Sequence, residues 1–316
     1  MTTESQLAKA FRNGAALITN QARLNQLRDA IARNDYQAVL AAVDITDSAW
    51  DEFRVLLVQA YAEGAISEID GMPFSVRPRW NSATSEVERY AREVIGGHIT
   101  RIAEDTRAAV RETVADGMAF GRSTNRIARD ILGGRSGSGR VGGVIGLNAV
   151  QARWVANMRM KLELKPEAAL SYGLRDKRFD KLLTGSKKLT AAQIDRITQA
   201  YSDKLLRSRA LTIARTERGA ATNNGRQEAW RQAADKAGLP YQAIRKTWVH
   251  SARKMEPRPF HIQAGREKLT VQGLNTPFNI GGFMCLHPHD VMLPAGEVVD
   301  CGCTCKYSIN RRWRDD

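Results

Sequence analysis

A long stretch without a strong helix breaker constrains the fold of this chain more than any other feature. It begins with Thr190-Ala-Ala-Gln193, a pattern typical of a helix capping box, and it continues to Gly238. Apolar side chains recur along it at helical spacing, as at Ile194 and Ile197. A helix of this length needs a long partner surface to bury its apolar stripe, so we expect a fold built on extended helix packing.

The N-terminal region is also predicted to be helical. Its apolar side chains recur every three or four residues, as at Leu7 and Phe11. Glycine and serine dominate residues 133–145, which predicts a linker or a mobile loop. We therefore predict a helical N-terminal domain at 1–132, then the linker, then a helical middle region with the long basic helix at 146–243.

Beyond residue 243 the periodicity changes. Short alternating runs such as Thr247-Trp248-Val249 are typical of strands, and proline-containing loops separate them. Residues 244–316 are therefore predicted to form a small, irregular, β-rich module. Together these regions predict an α+β protein, mainly helical in its N-terminal and middle regions, with long helices and a small β-rich C-terminal module.

The C-terminal module contains every cysteine of the chain and most of its histidines. The cysteines form a Cys-x-His-x-His pattern at Cys285 and a Cys-x-Cys-x-Cys pattern from Cys301 to Cys305. Residues two apart on a strand project from the same face, so ligands from these two arms can converge on one ion. Zinc, which takes four sulfur or nitrogen ligands in a tetrahedron, fits this set.

Two simpler interpretations of the cysteines remain open at this point. The cysteines can be small buried residues and the histidines polar surface groups, with no metal. Alternatively, Cys285 and Cys305 can form a disulfide, which a reducing cytosol disfavours.

The chain carries a formal net charge of +14, which predicts a polyanionic partner. Nucleic acid is the commonest such partner, and its phosphates can be neutralised without any sequence-specific contact. Glu217, in the long helix, is predicted to be an ion-pair partner and not a catalytic acid, because no second carboxylate lies at a useful spacing. The same helix carries the candidate phosphate-binding side chains Arg207, Arg209, Arg215, Arg218, Arg226 and Arg231.

No targeting or membrane signal is recognisable. The first residues lack the basic start, apolar stretch and cleavage site of a signal peptide, and no apolar run approaches the length of a membrane span. We therefore expect a protein that is made and kept in the cytoplasm, or in a particle assembled there, with no membrane contact.

The order of motifs in the C-terminal half carries a family resemblance. An Arg-Thr-Glu motif ends the segment Leu211–Glu217, and an Arg-x-x-His motif follows at Arg258–His261. The further motif positions are Gly146-Leu147, Leu174–Asp180, Trp248, Gly265, Thr276–Phe278, Met284–Asp290, Pro294-Ala295 and Asp300–Cys303. This order resembles that of phage head morphogenesis proteins, the Mu F-like minor capsid family.

The resemblance implies a low-copy minor head protein that associates with the portal vertex during capsid assembly. Its expected partners are the portal protein, the major capsid protein or scaffold, and packaged double-stranded DNA, bound non-specifically. Its expected location is the phage head, and the host cytoplasm during assembly. The chain has Ser251–Glu256 in place of the family's acidic turn, and Gly302 in place of its arginine between two cysteines. Both changes remove charges that catalysis would need, so we expect no enzymatic activity.

A structural metal site remains compatible with these changes, because coordination depends on the ligands and their supporting shell. The preferred zinc ligands are His261, Cys285, Cys301 and Cys303, and the substitutes are His287, His289 and Cys305.

Two other functions compete with this one. The first is a metal-dependent nuclease that uses His261, His289 and Asp290 to hold a divalent ion and activate water. The second is a cytoplasmic nucleic-acid-binding protein with a zinc module. Thiol-rich ligation favours a closed structural zinc site over the oxygen-rich site of a magnesium nuclease.

Overall fold

Helices dominate this chain, whose computed structural model describes residues 1–137, 139–185, 188–251 and 258–310. The α-helices are α1 (Glu4–Gln21), α2 (Leu24–Ala32), α3 (Tyr36–Val43), α4 (Asp51–Asp70), α5 (Ser85–Arg89), α6 (Gly96–Ala119), α7 (Thr124–Leu132), α8 (Ala149–Leu164), α9 (Asp180–Leu183), α10 (Ala191–Ala237), α11 (Pro259–Arg266) and α12 (Ala295–Val298). A π-helical turn, Tyr90–Ile95, connects α5 to α6. Short 3₁₀ turns lie at Asp47–Trp50, Pro166–Ser171, Lys177–Phe179 and Tyr241–Ala243.

Side-chain caps explain where the helices α10 and α8 begin. The Gln193 amide donates to Thr190 Oγ1 over 3.3 Å, and the Thr190 amide donates to Gln193 Oε1 over 2.8 Å, so the predicted capping box is present. Asn148 caps α8 in the same way, together with Gln151. The long helix α10 ends before Gly238, whose φ of +62° is a backbone conformation that favours glycine. The predicted long helix is thereby confirmed.

The strands are short and concentrated in the C-terminal module. Their bounds are β1 (Gly134–Ser136), β2 (Gly139–Val141), β3 (Ile244–Val249), β4 (Thr270–Gln272), β5 (Phe278–Ile280), β6 (Phe283–Cys285) and β7 (Thr304–Ile309). An antiparallel sheet has the order β4-β3-β7, and β5 pairs with β6 in a separate hairpin. The predicted fold class, α+β with long helices and a small strand-containing C-terminal module, is confirmed.

The chain divides into two compact units, each assembled from separate stretches of sequence. The first unit comprises Met1–Leu7, Arg54–Gly97 and Leu211–Asp316, and the second comprises Ala8–Phe53 and His98–Ala210. Helix α10 therefore contributes its C-terminal part to the first unit and its N-terminal part to the second. The domains predicted from sequence are continuous stretches instead, and their boundaries stay predictions. The predicted module 244–316 includes 252–257 and 311–316, which lie outside the described residues.

The Gly/Ser-rich segment 133–145 contains a hairpin within the second unit. Strands β1 and β2 pair antiparallel, with Gly134 opposite Val141. A side chain at Gly142 would overlap Gln199 of α10, and one at Gly143 would overlap the carbonyl of Ile131. The glycines of this segment thus permit close packing on helices, a role that glycine content alone does not distinguish from flexibility.

A buried charge network supports the second unit. Arg159, on α8, is only 3% exposed and donates to Asp130 of α7 over 2.9 Å and to Asp195 of α10 over 2.7 Å. The Arg159 guanidinium contacts both carboxylates at once, so it provides hydrogen-bond donors to acidic side chains of both α7 and α10. The apolar core beside it is formed by the buried side chains Val144, Leu147, Val155, Met158, Leu162, Ile197, Tyr201 and Leu205.

The core of the first unit joins the long helix to the C-terminal module. Trp230 of α10 stacks on Tyr307 of β7 with ring centroids 6.0 Å apart. Gly64 of α4 allows a close approach to α10, because a Cβ there would lie 2.6 Å from the carbonyl oxygen of Thr222. None of the described helices is both long enough and apolar enough to cross a bilayer.

Candidate metal centre

The β3–β7 pair brings two potential ligands to the same end of the sheet. The strands are antiparallel, and their last paired residues are Val249 and Thr304. His250 follows β3 directly, and Cys303 directly precedes β7. Extending the ladder by one residue therefore places His250 opposite Cys303.

Helix α11 supplies the third position. It starts with Pro259, whose ring fixes a helical φ and whose missing N–H costs nothing at a helix start. His261 lies in the first turn and is 2% exposed. Its imidazole ring packs edge-on against Trp248 of β3, with ring centroids 5.2 Å apart. The helix thus presents a buried imidazole to the end of the sheet.

Three donor atoms converge at this point. His261 Nδ1 lies 3.6 Å from Cys301 Sγ and 3.6 Å from Cys303 Sγ. All three side chains are buried, and among the described residues this trio forms the group whose donor atoms lie within 4.8 Å of one another. Two thiols and one imidazole are soft donors, the chemistry that zinc prefers.

The two cysteines of this group share protons unequally. The Cys303 thiol donates to Cys301, and His261 adds a further hydrogen bond, so the pKa of Cys301 lies well below its usual range. The same hydrogen bond, together with burial, raises the pKa of Cys303. The backbone amide of Cys303 also points to Cys301 Sγ, 3.4 Å away. Cys301 is thus the more thiolate-like sulfur, and thiolate is the form that binds a metal.

A carboxylate lies behind the imidazole. His261 Nε2 is 2.9 Å from Glu297 Oε2, on the side of the ring that faces away from the sulfurs. The Arg258 guanidinium donates to the backbone carbonyls of Gly296 and Val299, the latter over 2.8 Å, and so fixes the turn that carries Glu297. The two atoms lie at ion-pair distance, but the geometry is not that of a hydrogen bond, and neither atom has another hydrogen-bond partner among the described residues. When a metal is bound, a carboxylate that hydrogen-bonds the second nitrogen orients the histidine.

Three of the four predicted ligands therefore meet, and Cys285 does not join them. Cys285 is in β6, opposite Phe278, and it lies outside the group of donor atoms that the described residues form. Burial raises the pKa of Cys285 to about 12, and burial does the same for Cys305. All four cysteines are free, so the Cys285–Cys305 disulfide is not formed.

The two substitute histidines, His287 and His289, form hydrogen bonds with other groups of the protein. His289 Nε2 donates to the carbonyl of Cys301 over 2.7 Å, and its Nδ1 accepts from Asn223 over 3.1 Å. His287 Nδ1 donates to the carbonyl of Pro288 over 2.9 Å. Burial lowers the pKa of both rings, so they are neutral side chains that support the fold.

Asp290, the carboxylate of the nuclease hypothesis, holds a turn. Its Oδ2 accepts from the Leu286 amide over 2.6 Å, and its Oδ1 accepts from the Met292 amide over 3.0 Å. Both oxygens are thus engaged with backbone amides. His261, His289 and Asp290 do not form an oxygen-rich cation site within the described part of the chain.

The Arg-Thr-Glu turn of α10 supports the loop that carries Cys301. The amide of Asp300 donates to Thr216 Oγ1 over 2.9 Å, and Arg215 lies 3.7 Å from the Asp300 carboxylate. Asp300 has a φ of +59°, a conformation that aspartate tolerates better than most residues do. About two turns further along, Asn223 donates to the carbonyl of Cys303 over 3.3 Å. Side chains of the long helix thus fix both ends of the Cys-x-Cys loop.

The six arginines predicted to bind nucleic acid each contact another group of the protein. Arg215, Arg226 and Arg231 lie near the carboxylates of Glu4, Glu68 and Glu228, and Arg218 donates to the carbonyl of Thr2. In the second unit, Arg207 and Arg209 pair with Asp203 and Asp105. A role in DNA binding stays a prediction for all six, and such a role competes with these contacts.

His250 is the residue near this centre that the sequence did not single out as a ligand. Its Nδ1 lies 3.6 Å from Cys303 Sγ. The signal available in the sequence was its position at the end of a strand-like run, but only the register of β3 with β7 places it beside a cysteine.

Comparison with known proteins adds no relative. The chain matches no known protein-family model, no curated protein and no solved structure.

Proposed function

We propose that this protein is a minor capsid protein of a tailed phage that acts in head morphogenesis and catalyses no reaction. Its partners in this role are a portal, major capsid or scaffold protein and packaged double-stranded DNA, to which it binds without sequence preference. Its place is the phage head, and the host cytoplasm while heads assemble.

The observation that carries this proposal is the meeting of motifs that lie far apart in the sequence. The Arg-Thr-Glu turn of α10 contacts Asp300, next to the Cys-x-Cys pair, through Thr216 and Arg215. The Arg-x-x-His motif contributes Arg258 to the same turn and His261 to the thiols. The motifs that carry the family resemblance thus belong to one assembled structure, as parts of a common family core would.

The donor chemistry supports a structural role for the metal. His261, Cys301 and Cys303 are buried soft donors, and Trp248 packs against the imidazole. A zinc ion held there would link α11 to the β3–β7 sheet and would stabilise the module through that link. A magnesium nuclease would instead need several free carboxylate or carbonyl oxygens.

The first experiment tests the location of the protein. Finished heads and unfinished proheads, produced from the genome that encodes this chain, are purified on density gradients and analysed by mass spectrometry. We expect the chain in both, at far lower copy number than the most abundant shell protein, and an abundant host cytoplasmic protein serves as the control for carry-over. Absence from both kinds of particle would refute the proposal.

The second experiment tests the nuclease alternative. The purified full chain is incubated with supercoiled plasmid and Mg²⁺ or Mn²⁺, beside a His289→Ala variant. We expect no nicking above the buffer control from either protein. Nicking over many turnovers that the variant lacks would replace the structural function with an enzymatic one.

A further inference from the structure

We propose that His250 is the fourth ligand of a closed zinc site formed with His261, Cys301 and Cys303. The inference deepens the structural zinc site of the proposed function and rests on it. It replaces Cys285 of the sequence-based ligand set with a histidine, so the site changes from three thiolates and one imidazole to two of each.

The strand register is the first argument. Val249 pairs with Thr304, so the next positions of the ladder are His250 and Cys303. Residues opposite each other on antiparallel strands have Cβ atoms about 4.5–5.5 Å apart, close enough for both side chains to reach one ion. A fixed backbone pairing therefore presents this imidazole and this thiolate together.

The distances are the second argument. With zinc–sulfur bonds of about 2.3 Å and zinc–nitrogen bonds of about 2.0–2.1 Å in a tetrahedron, a sulfur and a nitrogen ligand lie about 3.6 Å apart. The three measured separations, His261 Nδ1 to Cys301 Sγ, His261 Nδ1 to Cys303 Sγ and His250 Nδ1 to Cys303 Sγ, are each 3.6 Å. These three separations match those between the sulfur and nitrogen ligands of a zinc ion.

A metal ion explains both sulfur contacts of the His261 nitrogen with a single partner. A neutral imidazole has one acceptor nitrogen with one lone pair, which can accept one S–H proton. His261 Nδ1 nevertheless lies equally far from two sulfurs. Its other nitrogen, Nε2, is buried and 2.9 Å from Glu297 Oε2. A ring with sulfurs on one side and a carboxylate on the other fits a metal ligand bound through Nδ1.

His250 has the freedom to complete the tetrahedron. It is half-buried, and it lies outside the group whose donors are all within 4.8 Å of one another, so its side chain turns inward when the ion binds. Gly265 of α11 leaves room for it, because a side chain at that position would overlap the His250 Cβ. Because Gly265 has no side chain, α11 packs close to the end of β3.

Cys285 has a different environment. It interacts electrostatically with the buried Lys246, Asp290, Cys301 and Cys305. Its Sγ lies outside the group of donor atoms that His261, Cys301 and Cys303 form. Its position in the β5–β6 hairpin is set by its pairing with Phe278, a core residue.

X-ray absorption at the zinc edge of the full chain, purified and loaded with one equivalent of zinc, counts the ligands directly. We expect two sulfurs at about 2.3 Å and two nitrogens at about 2.0–2.1 Å. Three sulfurs and one nitrogen would overturn the assignment in favour of a third cysteine. Failure of the chain to bind zinc would overturn the site itself.

Substitutions identify the residues. We expect His250→Ala to weaken zinc binding by at least about 100-fold, beyond the roughly 10- to 100-fold loss typical of supporting residues, in competition with a chromophoric chelator. His250→Cys is expected to restore tight binding, because zinc accepts three cysteines and one histidine. Glu297→Gln is expected to cost about 10-fold.

Cys285→Ser is the matched control for a buried cysteine, and we expect it to bind zinc like the unchanged chain. Unchanged affinity in His250→Ala, or lost binding in Cys285→Ser with a native circular dichroism spectrum, would overturn the assignment. These results are independent of whether the chain is found in phage heads, so the site and the function can fail separately.

Discussion

Lys246 is an ionisable side chain buried in the core of the C-terminal module. The side chain is fully buried in β3, where Nζ donates to the carbonyl of Leu286 over 2.8 Å and lies 5.3 Å from the centre of the Phe278 ring. Burial lowers its pKa to about 8, against the opposing influence of Cys305, Cys285 and Asp290. Because the charged form is disfavoured in the fold, this lysine couples folding to pH.

The expected pH dependence follows from the direction of this shift. Between pH 8 and the usual lysine pKa of 10.5, the unfolded chain keeps a proton that the folded chain has lost, so the free energy of unfolding rises with pH. We expect the free energy of unfolding of the native chain, relative to that of a Lys246→Met variant, to rise by up to about 3 kcal/mol across that window. Urea unfolding of both proteins at several pH values measures the difference. A constant difference would show that Lys246 titrates normally.

Gly219 has a tighter steric constraint than a helical glycine normally has. A Cβ at this position of α10 would lie 2.7 Å from Cε1 of His289, whose ring is held by Asn223 and by the carbonyl of Cys301. We expect Gly219→Ala to lower the free energy of unfolding by about 1–3 kcal/mol, although alanine favours helices.

The control for this effect is Gly97→Ala in α6, where a Cβ would meet nothing within 4 Å. That change is expected to be neutral or to stabilise the protein by up to about 1 kcal/mol, as alanine normally does in a helix. Urea unfolding compares the two variants, and equal effects would contradict the steric explanation.

At the scale of elements, α10 both builds the fold and positions the candidate metal centre. Its capping box and periodicity were legible in the sequence, because they depend on residues three and four apart. The ligand set was only partly predictable, since it depends on long-range pairing. His250 meets Cys303 through the β3–β7 register, and Cys285, in the β5–β6 hairpin, lies outside the group of donor atoms. The short alternating runs left that register undetermined.

The contact between α10 and the Asp300 turn gives a test at this scale. Thr216 Oγ1 accepts from the Asp300 amide and donates to the carbonyl of Thr212 over 2.9 Å. Thr216→Val keeps the shape of the side chain but leaves the partly buried amide of Asp300 without its partner. We expect a loss of about 1–3 kcal/mol in the free energy of unfolding and weaker zinc binding, because the turn precedes Cys301.

Thr212→Val, one turn earlier in α10, is the matched control, since its part in this contact is made by the backbone carbonyl. It is expected to change stability by less than about 0.5 kcal/mol and to leave zinc binding unchanged. Urea unfolding and chelator competition provide both measurements. Equal zinc affinity in the two variants would show that the Asp300 turn does not position the metal ligands.

At the scale of the whole molecule, the net charge of +14 raises the question of which basic side chains are available to DNA. Each of the six α10 arginines already contacts another group of the protein. The hairpin of the second unit offers a different concentration of charge. Burial lowers the pKa of Arg140, and the nearby Arg135 and Arg28 lower it further. Like charges that lie this close together gain from an anion such as a phosphate.

Two substitutions distinguish the hairpin from the long helix as the source of DNA affinity. Arg135 is exposed on β1, whereas Arg226 lies 3.6 Å from Glu68 and also donates to Thr304. We expect the chain to bind random-sequence duplex with an affinity that falls steeply with salt. Arg135→Ala is expected to reduce the slope of log K against log salt by about 0.9, the value for one phosphate contact. Arg226→Ala is expected to lower the free energy of unfolding by about 1–3 kcal/mol and to leave the salt slope unchanged.

Fluorescence anisotropy titrations between about 50 and 200 mM salt measure both slopes. Over this range, the affinity due to phosphate contacts falls by about 10³-fold or more in total. A slope that changes only in Arg226→Ala would assign DNA binding to the long helix instead.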